Sequence, residues 1–123
     1  MTNGQFDTWL KGLKDAWETR NPQAAIDLCA KDVLWYETPF SKPLTTKEEI
    51  FTEWQTVPAG QKDITVSYEI IVVTEEFGIA HWSATFTRIP TGERAHLDGI
   101  YKVSLNDKNL CTEFHQWYNS NLY

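Results

Sequence analysis

The amino-acid sequence predicts one α+β domain, in which a curved, mainly antiparallel sheet wraps as a cone around three helices of the N-terminal part. Three observations support this fold class. Apolar residues in the first part of the chain recur at three- and four-residue spacing, as in amphipathic helices. After residue 60, β-branched and aromatic residues alternate with polar ones between short turns. No repeat or linker interrupts the sequence, so residues 1–123 are expected to form a single domain.

The helices are predicted from an apolar stripe and from two start signals. The stripe runs over residues 6–17, and Asn3 is the expected cap of this first helix. Asn21-Pro22 combines a capping side chain with a proline for the first turn of a short second helix. Residues 46–49 have the form of a capping box, which predicts the start of a third helix. A short strand over residues 33–38 separates the second helix from the third.

Four consecutive strands are predicted in the second half of the chain. They cover residues 64–73, 79–88, 95–105 and 110–118, and turn-forming residues separate them. A meander with helices on one side is an α+β layer arrangement. A sheet that curls around its own helices leaves an open end, where a ligand pocket is expected.

The charge of the chain limits its partners. Its 17 acidic and 11 basic residues give a net charge of −6, and the basic residues are scattered. Nucleic-acid binding depends on clustered Lys and Arg, so no nucleic-acid partner is expected. The N-terminal residues do not have the pattern of a secretory signal, and no apolar run approaches the ~20 residues of a membrane span. We therefore expect a cytoplasmic protein without a membrane partner.

The residue types that hold metals and cofactors are not clustered in the sequence. Cys29 and Cys111 lie far apart in the chain and have no metal-like spacing with the three His residues. Two buried free thiols are the expectation in a reducing compartment, although a disulfide stays an alternative. The sequence also lacks a glycine-rich phosphate loop and a Gly-x-Ser-x-Gly turn. No metal and no cofactor are therefore expected.

Aromatic residues make up 14% of the chain and include six Trp. This is more than a core of this size normally needs, so part of the aromatic set is expected to line the pocket, although a Trp-rich core would explain it too. Aromatic walls with hydroxyl and indole donors favour an apolar or aromatic small molecule that contains oxygen. The predicted lining residues are Trp17, Tyr36, Thr38, Trp54, Trp82, Tyr101 and Trp117.

Three segments of the sequence resemble a known superfamily. They are AWETRNPQAAIDLCAKDVLWYETPF, LTTKEEI and HLDGIYKVSLNDKNLCTEFHQWYN. They are similar to the nuclear transport factor 2-like superfamily and, within it, to the SnoaL-like group, over about residues 6–118. The resemblance implies a cystatin-like α+β roll, usually a homodimer, with a pocket between the sheet and the first helix. Ketosteroid isomerases, polyketide cyclases and non-enzymatic binding modules share this fold, so the fold alone does not select a function.

The ketosteroid isomerases of this superfamily allow a comparison position by position. Their general base is an Asp that precedes a Pro, and the matching residue here is Thr38, before Pro39. Threonine does not accept a proton at useful pH, which puts isomerase activity in doubt. The neighbouring Glu37 is a carboxylate, but strand alternation is expected to point it away from the pocket. Tyr101 falls near the oxyanion-stabilising acid of that family and is able to donate a hydrogen bond to an oxyanion.

Two further sites are candidates for catalysis. Glu113 and His115 lie two residues apart on the last strand, and a carboxylate beside an imidazole orients a general base. If the opposite face with Phe114 lines the core instead, the two residues form a solvated pair. Asp98 is the other candidate, because a bulge at Gly99 would turn its side chain towards the pocket. Without a bulge, Asp98 is expected at the surface.

Two functional hypotheses stay open at this point. The first is a cofactor-free isomerase, cyclase or hydratase that acts on an apolar carbonyl compound. It requires a carboxylate or His with a shifted pKa inside the cavity. The second is a non-catalytic module for ligand binding or dimerisation, which requires the aromatic wall alone.

Overall fold

The computed structural model describes residues 1–121, which fold into one five-stranded sheet with helices against it. The elements are α1 (Asn3–Glu18), α2 (Pro22–Ile26), β1 (Cys29–Tyr36), α3 (Lys47–Thr56), a 3-10 turn (Pro58–Gly60), β2 (Gln61–Val73), β3 (Gly78–Arg88), β4 (Arg94–Leu105) and β5 (Cys111–Asn121). The α+β prediction is confirmed. Within residues 1–121 no helix is long and apolar enough to cross a membrane.

The strand order is β1-β5-β4-β3-β2. Strands β2 to β5 form an antiparallel meander, whereas β1 pairs with β5 in parallel and makes the curved sheet mixed. The predicted meander is therefore present, and the early strand becomes an edge of the same sheet. This edge position brings the end of β1 beside the middle of β5.

Side-chain caps begin the helices. Asn21 accepts a hydrogen bond from the backbone N–H of Ala24, and Thr46 accepts one from Glu49, as the start signals predict. The cap of α1 is Thr2 rather than Asn3. Its hydroxyl accepts from the N–H of Gln5, while the Gln5 side chain accepts from the N–H of Thr2, which completes a capping box.

The core lies between α1 and the inner face of the sheet. Strand β3 alternates strictly, so that Trp82 and Phe86 are buried beneath α1 and their neighbours in the strand point outwards. Trp35 of β1 stacks on Phe114 of β5, with ring centroids 3.8 Å apart. Trp9 of α1 packs against both rings and donates its indole N–H to the Leu28 carbonyl at 2.9 Å. This aromatic cluster fastens the helix layer to the β1–β5 edge of the sheet.

Gly99 is required because β5 passes close to it. The pairings of β4 with β3 and with β5 run regularly through Gly99, so no bulge turns Asp98 inwards. A Cβ at Gly99 would overlap the carbonyl oxygen of Trp117 and lie 2.7 Å from Cβ of Tyr118. The glycine of this strand therefore reflects close strand packing.

We predict that Gly99→Ala destabilises the fold by about 1–3 kcal/mol, because the added methyl group forces β4 and β5 apart. The melting temperature should fall by roughly 5–10 °C in a thermal denaturation followed by circular dichroism. Gly60→Ala is the matched control, since a Cβ at Gly60 meets no atom within 4 Å. Equal melting temperatures for the two variants would contradict the explanation.

Candidate functional site

A cavity of about 450 Å³ opens between the inner face of the sheet, α1 and α3. Five of the residues predicted as its lining are part of its wall: Trp17, Thr38, Trp54, Trp82 and Tyr101. Two others, Tyr36 and Trp117, lie on the outer face of the sheet instead. The wall also contains polar side chains that are not among the predicted lining residues, including Glu53, Gln61 and Arg88.

Aromatic rings form one continuous wall of this cavity. Trp82 stacks on Tyr101 with centroids 4.9 Å apart and planes 10° apart, and Trp17 packs 5.7 Å from Trp82. Trp17 donates its indole N–H to the Gln61 side chain at 2.8 Å, which fixes its orientation. Within residues 1–121 the buried indole N–H of Trp82 has no hydrogen-bond partner. The wall is rigid and apolar, as a pocket for a flat ring system requires.

Glu37 lies in this wall, and the expectation that it points away from the pocket is wrong. Strand β1 buries Val33 and Trp35, and Glu37 continues the same alternation although the regular strand ends at Tyr36. The predicted inward positions of Tyr36 and Thr38 are one residue out of phase with this alternation. Thr38 also reaches the cavity, because the chain bends directly after the strand. The apolar spacing from Val33 to Trp35 is the signal that indicates the inward orientation of Glu37.

Two side chains hold the Glu37 carboxylate. Trp35 donates its indole N–H to Oε1 at 2.7 Å, and Gln116 of β5 donates from Nε2 to Oε2 at 3.0 Å. The Gln116 amide also donates to the backbone carbonyl of Glu37 at 3.0 Å, so it binds the residue at two points. Because both donors come from the packed β1–β5 edge, the carboxylate has a fixed orientation in the cavity.

The surroundings of Glu37 change its acidity. Removal from water raises the pKa of its carboxyl group to about 7, the hydrogen bond from Trp35 opposes this rise, and the nearby Glu53 carboxylate adds to it. Burial, together with the negative charge of Glu37, raises the pKa of the Tyr101 hydroxyl well above its ordinary value. At neutral pH the carboxyl group of Glu37 therefore gains and loses its proton readily. The phenol of Tyr101 stays protonated and is able to donate a hydrogen bond.

Glu113 and His115 form a pair outside the cavity. The His115 ring nitrogen lies 3.5 Å from the Glu113 carboxylate, and the ring stacks between Tyr36 and Trp117 at 4.3 and 5.7 Å. Of the two orientations that the sequence leaves open, the structure has the one in which the face with Phe114 lines the core. An extra residue, Thr112, shifts the register of β5 against β4, so that Cys111 and Phe114 are both buried. Phe114, Gln116 and Tyr118 then face inwards, and the intervening residues face outwards.

Asp98 is also on the outer face, because the bulge that was to turn it inwards is absent at Gly99. Its carboxylate lies 2.8 Å from Nε2 of His81, while Nδ1 of the same ring lies 3.1 Å from the Glu69 carboxylate. These two contacts raise the pKa of His81. Asp98 is exposed and does not contribute to the cavity.

The two thiols are buried and do not line the cavity. Cys29 and Cys111 are register partners on β1 and β5 and are free, with burial raising the pKa of Cys29 to about 12. Within the described residues, no group of three or more His, Cys, Asp or Glu side chains is arranged to hold a metal ion.

The family model of the SnoaL-like domain matches residues 10–112 of the chain. The chain belongs to the SnoaL-like domain family. The resemblance to the nuclear transport factor 2-like superfamily is thereby confirmed. No curated protein matches the sequence of this SnoaL-like domain.

Solved structures of other proteins have the same fold. RV0760c from Mycobacterium tuberculosis, in complex with estradiol-17beta-hemisuccinate, is 14% identical with a TM-score of 0.80, and the match covers 94% of this chain and 96% of that one. The Delta 5-3-ketosteroid isomerase from Mycobacterium sp. is 14% identical with a TM-score of 0.79, covering 94% and 93%.

A third structure is SalBIII, an epoxide hydrolase/cyclase-like enzyme in pyran ring formation of the polyether salinomycin. It is 8% identical with a TM-score of 0.84, and the match covers 100% of both chains. At such low identities, these likenesses establish the fold of this SnoaL-like domain alone.

The raised pKa of Glu37 makes the stability of the domain depend on pH. The group has a folded-state pKa of about 7 against an ordinary value of 4.5, so it favours the folded state while protonated. Its contribution is lost as the pH rises through this interval, by an amount on the order of 3 kcal/mol. Urea denaturation at about pH 5 and about pH 8 measures this loss.

The matched control for this measurement is Glu37→Gln, which keeps the shape and does not ionise. We expect the variant to lose much less stability than the wild type between the two pH values. If both proteins lose the same free energy of unfolding, the pKa of Glu37 is not raised, and another group causes the pH dependence.

Proposed function

We propose that this SnoaL-like domain is a cofactor-free acid–base enzyme that acts on a small, ring-containing apolar carbonyl compound. The observation that carries the proposal is the Glu37 carboxyl group, which lies in an aromatic cavity and has a pKa of about 7. A general base is most effective when its pKa is close to the working pH. The cavity therefore contains the titrating group that a purely binding pocket does not need.

In the proposed reaction, ionised Glu37 removes a proton from the carbon next to the substrate carbonyl. The C–H bond breaks, the proton binds to a carboxylate oxygen, and the electron pair moves to the carbonyl oxygen as an enolate. Tyr101 donates a hydrogen bond to this oxygen. When the substrate has a C=C bond in the β,γ position, this enolate is a dienolate. Return of the proton from Glu37 to the γ-carbon then re-forms the C=O bond and moves the C=C bond into conjugation, which completes an isomerisation without a cofactor. Trp35 and Gln116 act as positioning residues, because they orient the carboxylate and do not need to contact the substrate.

The comparisons supply the substrate class of this proposal. The structural neighbours include a ketosteroid isomerase, a cyclase-like enzyme and a protein with a bound steroid derivative. By the sequence resemblance, Thr38 corresponds to the isomerase base, and its hydroxyl is 2.6 Å from that of Ser41. In our proposal the preceding residue, Glu37, supplies the base instead. Its side chain is one methylene longer than that of Asp, so the reacting carbon would occupy a different place in the cavity.

A second candidate function is ligand binding without chemistry. It is favoured by the two hydrogen bonds that already occupy Glu37, because they stabilise the ionised form and make it a weaker base. In that case the carboxyl group serves only to recognise a donor on the ligand. The two functions differ in what the wild type does with its ligand. An enzyme converts the ligand and loses this activity, but not binding, when Glu37 is replaced, whereas a binding module binds the ligand without converting it.

We predict that the wild type converts a β,γ-unsaturated ketosteroid into the conjugated enone, which ultraviolet absorbance detects. Glu37→Gln should lower kcat by about 10²–10⁴-fold, the usual contribution of general acid–base catalysis. The rate of the wild type should rise with pH and level off above the Glu37 pKa of about 7, because the ionised form is the base.

The control variants are His115→Ala and Glu113→Gln, which alter the pair on the outer face. Both should keep kcat within about twofold, because neither residue lines the cavity. Binding of the ketosteroid without conversion, in a thermal-shift assay, would favour the non-catalytic function. A loss of kcat in His115→Ala at unchanged stability would contradict the assignment of Glu37.

Pairing of two copies into a homodimer is also part of the proposal. Trp117 is 41% exposed on the outer face of β5, where a second copy would cover it. We expect light scattering after size exclusion to give twice the chain mass of 14.3 kDa, and Trp117→Glu to give the single chain mass. A wild type of single mass at high concentration would remove the dimer from the proposal.

A further inference from the structure

Arg88, at the end of β3, is the cationic side chain among the described residues that line the cavity. It is half-buried, and its guanidinium carbon lies 5.5 Å from the centroid of the Phe86 ring. Stacking on an aromatic ring fixes the plane of a guanidinium group and leaves its N–H donors at the edge available. Arg88 is therefore held in place by a cation–π contact that does not use its hydrogen-bonding capacity.

In the part of the chain that the structure describes, an ion pair does not explain the position of Arg88. Within residues 1–121 no carboxylate lies within ion-pair distance of Arg88, although the chain contains 17 acidic residues. Withdrawing a cation from water without a partner costs free energy. A ligand with an anionic group at this point would offset that cost, and it would use the forked geometry that matches carboxylates and sulfonates.

Arg88 and Glu37 belong to different ends of the cavity. Gln116, which binds Glu37, pairs with Tyr101, whose partner on β3 is Ala80. Ala80 is therefore level with Glu37, and Phe86 is the residue on which Arg88 stacks. From Ala80 to Phe86 the path along an extended strand is about 20 Å. The guanidinium of Arg88 is not among the charges that shift the pKa of Glu37, in agreement with this separation.

The end of the cavity near Arg88 opens to solvent. Val57 lines the cavity at this end and is 48% exposed, and the backbone N–H of Ile89 binds the carbonyl of Gly60 beside the turn that follows Val57. The tyrosine and tryptophan rings next to Glu37 are buried. Glu37 and Arg88 are both half-buried, and the charge of the cavity changes from a carboxyl group at one end to a guanidinium at the other.

We propose that Arg88 forms an anion-binding subsite and that the ligand of the cavity is an elongated apolar acid. Its carboxylate or sulfonate group contacts Arg88 at the open end, its ring system lies along Phe86 and Trp82, and its carbonyl end lies near Glu37. The inference rests on the proposed function only for the statement that the cavity holds a ligand. It does not require that the ligand is converted.

The test uses two fluorescent probes with nearly the same aromatic body, anilinonaphthalene sulfonate and the neutral phenyl-naphthylamine. The wild type should bind the sulfonate more tightly than the neutral probe, and each probe should displace the other. Arg88→Met, which keeps the length of the side chain, should raise the Kd of the sulfonate about tenfold or more and change that of the neutral probe little. Arg88→Lys should retain part of the preference, because it keeps the charge but loses the fork.

Lys62→Met is the matched control. It removes the same charge from an exposed position on β2, paired with Thr87 beside Arg88, and Lys62 does not line the cavity. The control should bind both probes as the wild type does. A wild type without preference for the sulfonate, a preference that Arg88→Met retains, or an equal loss in Lys62→Met would each overturn the inference.

Glu37→Gln separates this inference from the proposed function. The variant should keep the preference for the sulfonate, since the carboxyl group lies at the other end of the cavity. Absence of turnover in a wild type that shows the Arg88-dependent preference refutes the enzyme and leaves the subsite. Turnover that depends on Glu37, without any effect of Arg88 on the two probes, leaves the enzyme and refutes the subsite.

Discussion

The parallel pairing of β1 with β5 is the constraint on which the fold and the site both depend. It sets Trp35 against Phe114 as register partners, and the stacked rings anchor α1 through Trp9. The same register carries the end of β1 to Gln116, which binds Glu37 at two points. A slip by one residue would exchange the two faces of the edge strand and remove the carboxylate from the cavity. Core packing thus positions the group to which we assign the chemistry.

The position of Glu37 opposes stability and favours reactivity. A carboxyl group withdrawn from water loses hydration, and its two hydrogen bonds replace that hydration in part. If both oxygens were left without donors, the group would stay protonated over most of the physiological range. With these donors and, among residues 1–121, no cation that lowers it, its pKa is about 7. The balance between burial and hydrogen bonding is what makes an acid–base role possible.

The fold could be predicted from the sequence because its signals are local. Capping residues such as Asn21 and Thr46, and the alternation of β3, depend on neighbours within a few positions. The candidate site could not be predicted with the same certainty, because both faces of β5 are aromatic: Phe114 and Tyr118 lie on one face and His115 and Trp117 on the other. Only the extra residue at Thr112 decides between them, and a bulge is a property of the paired strands.

The two cysteines have a consequence for how motion at this edge can be followed. Cys29 and Cys111 face each other across β1 and β5, both fully buried, and burial keeps the pKa of each thiol far above neutrality. Thiolate is the form that reacts with alkylating reagents, so neither residue is modified while the strands are together. The rate of alkylation in the native protein then reports how often β1 separates from β5. Because this edge also orients Glu37, the alkylation rate measures how often the site comes apart under conditions in which most molecules are folded.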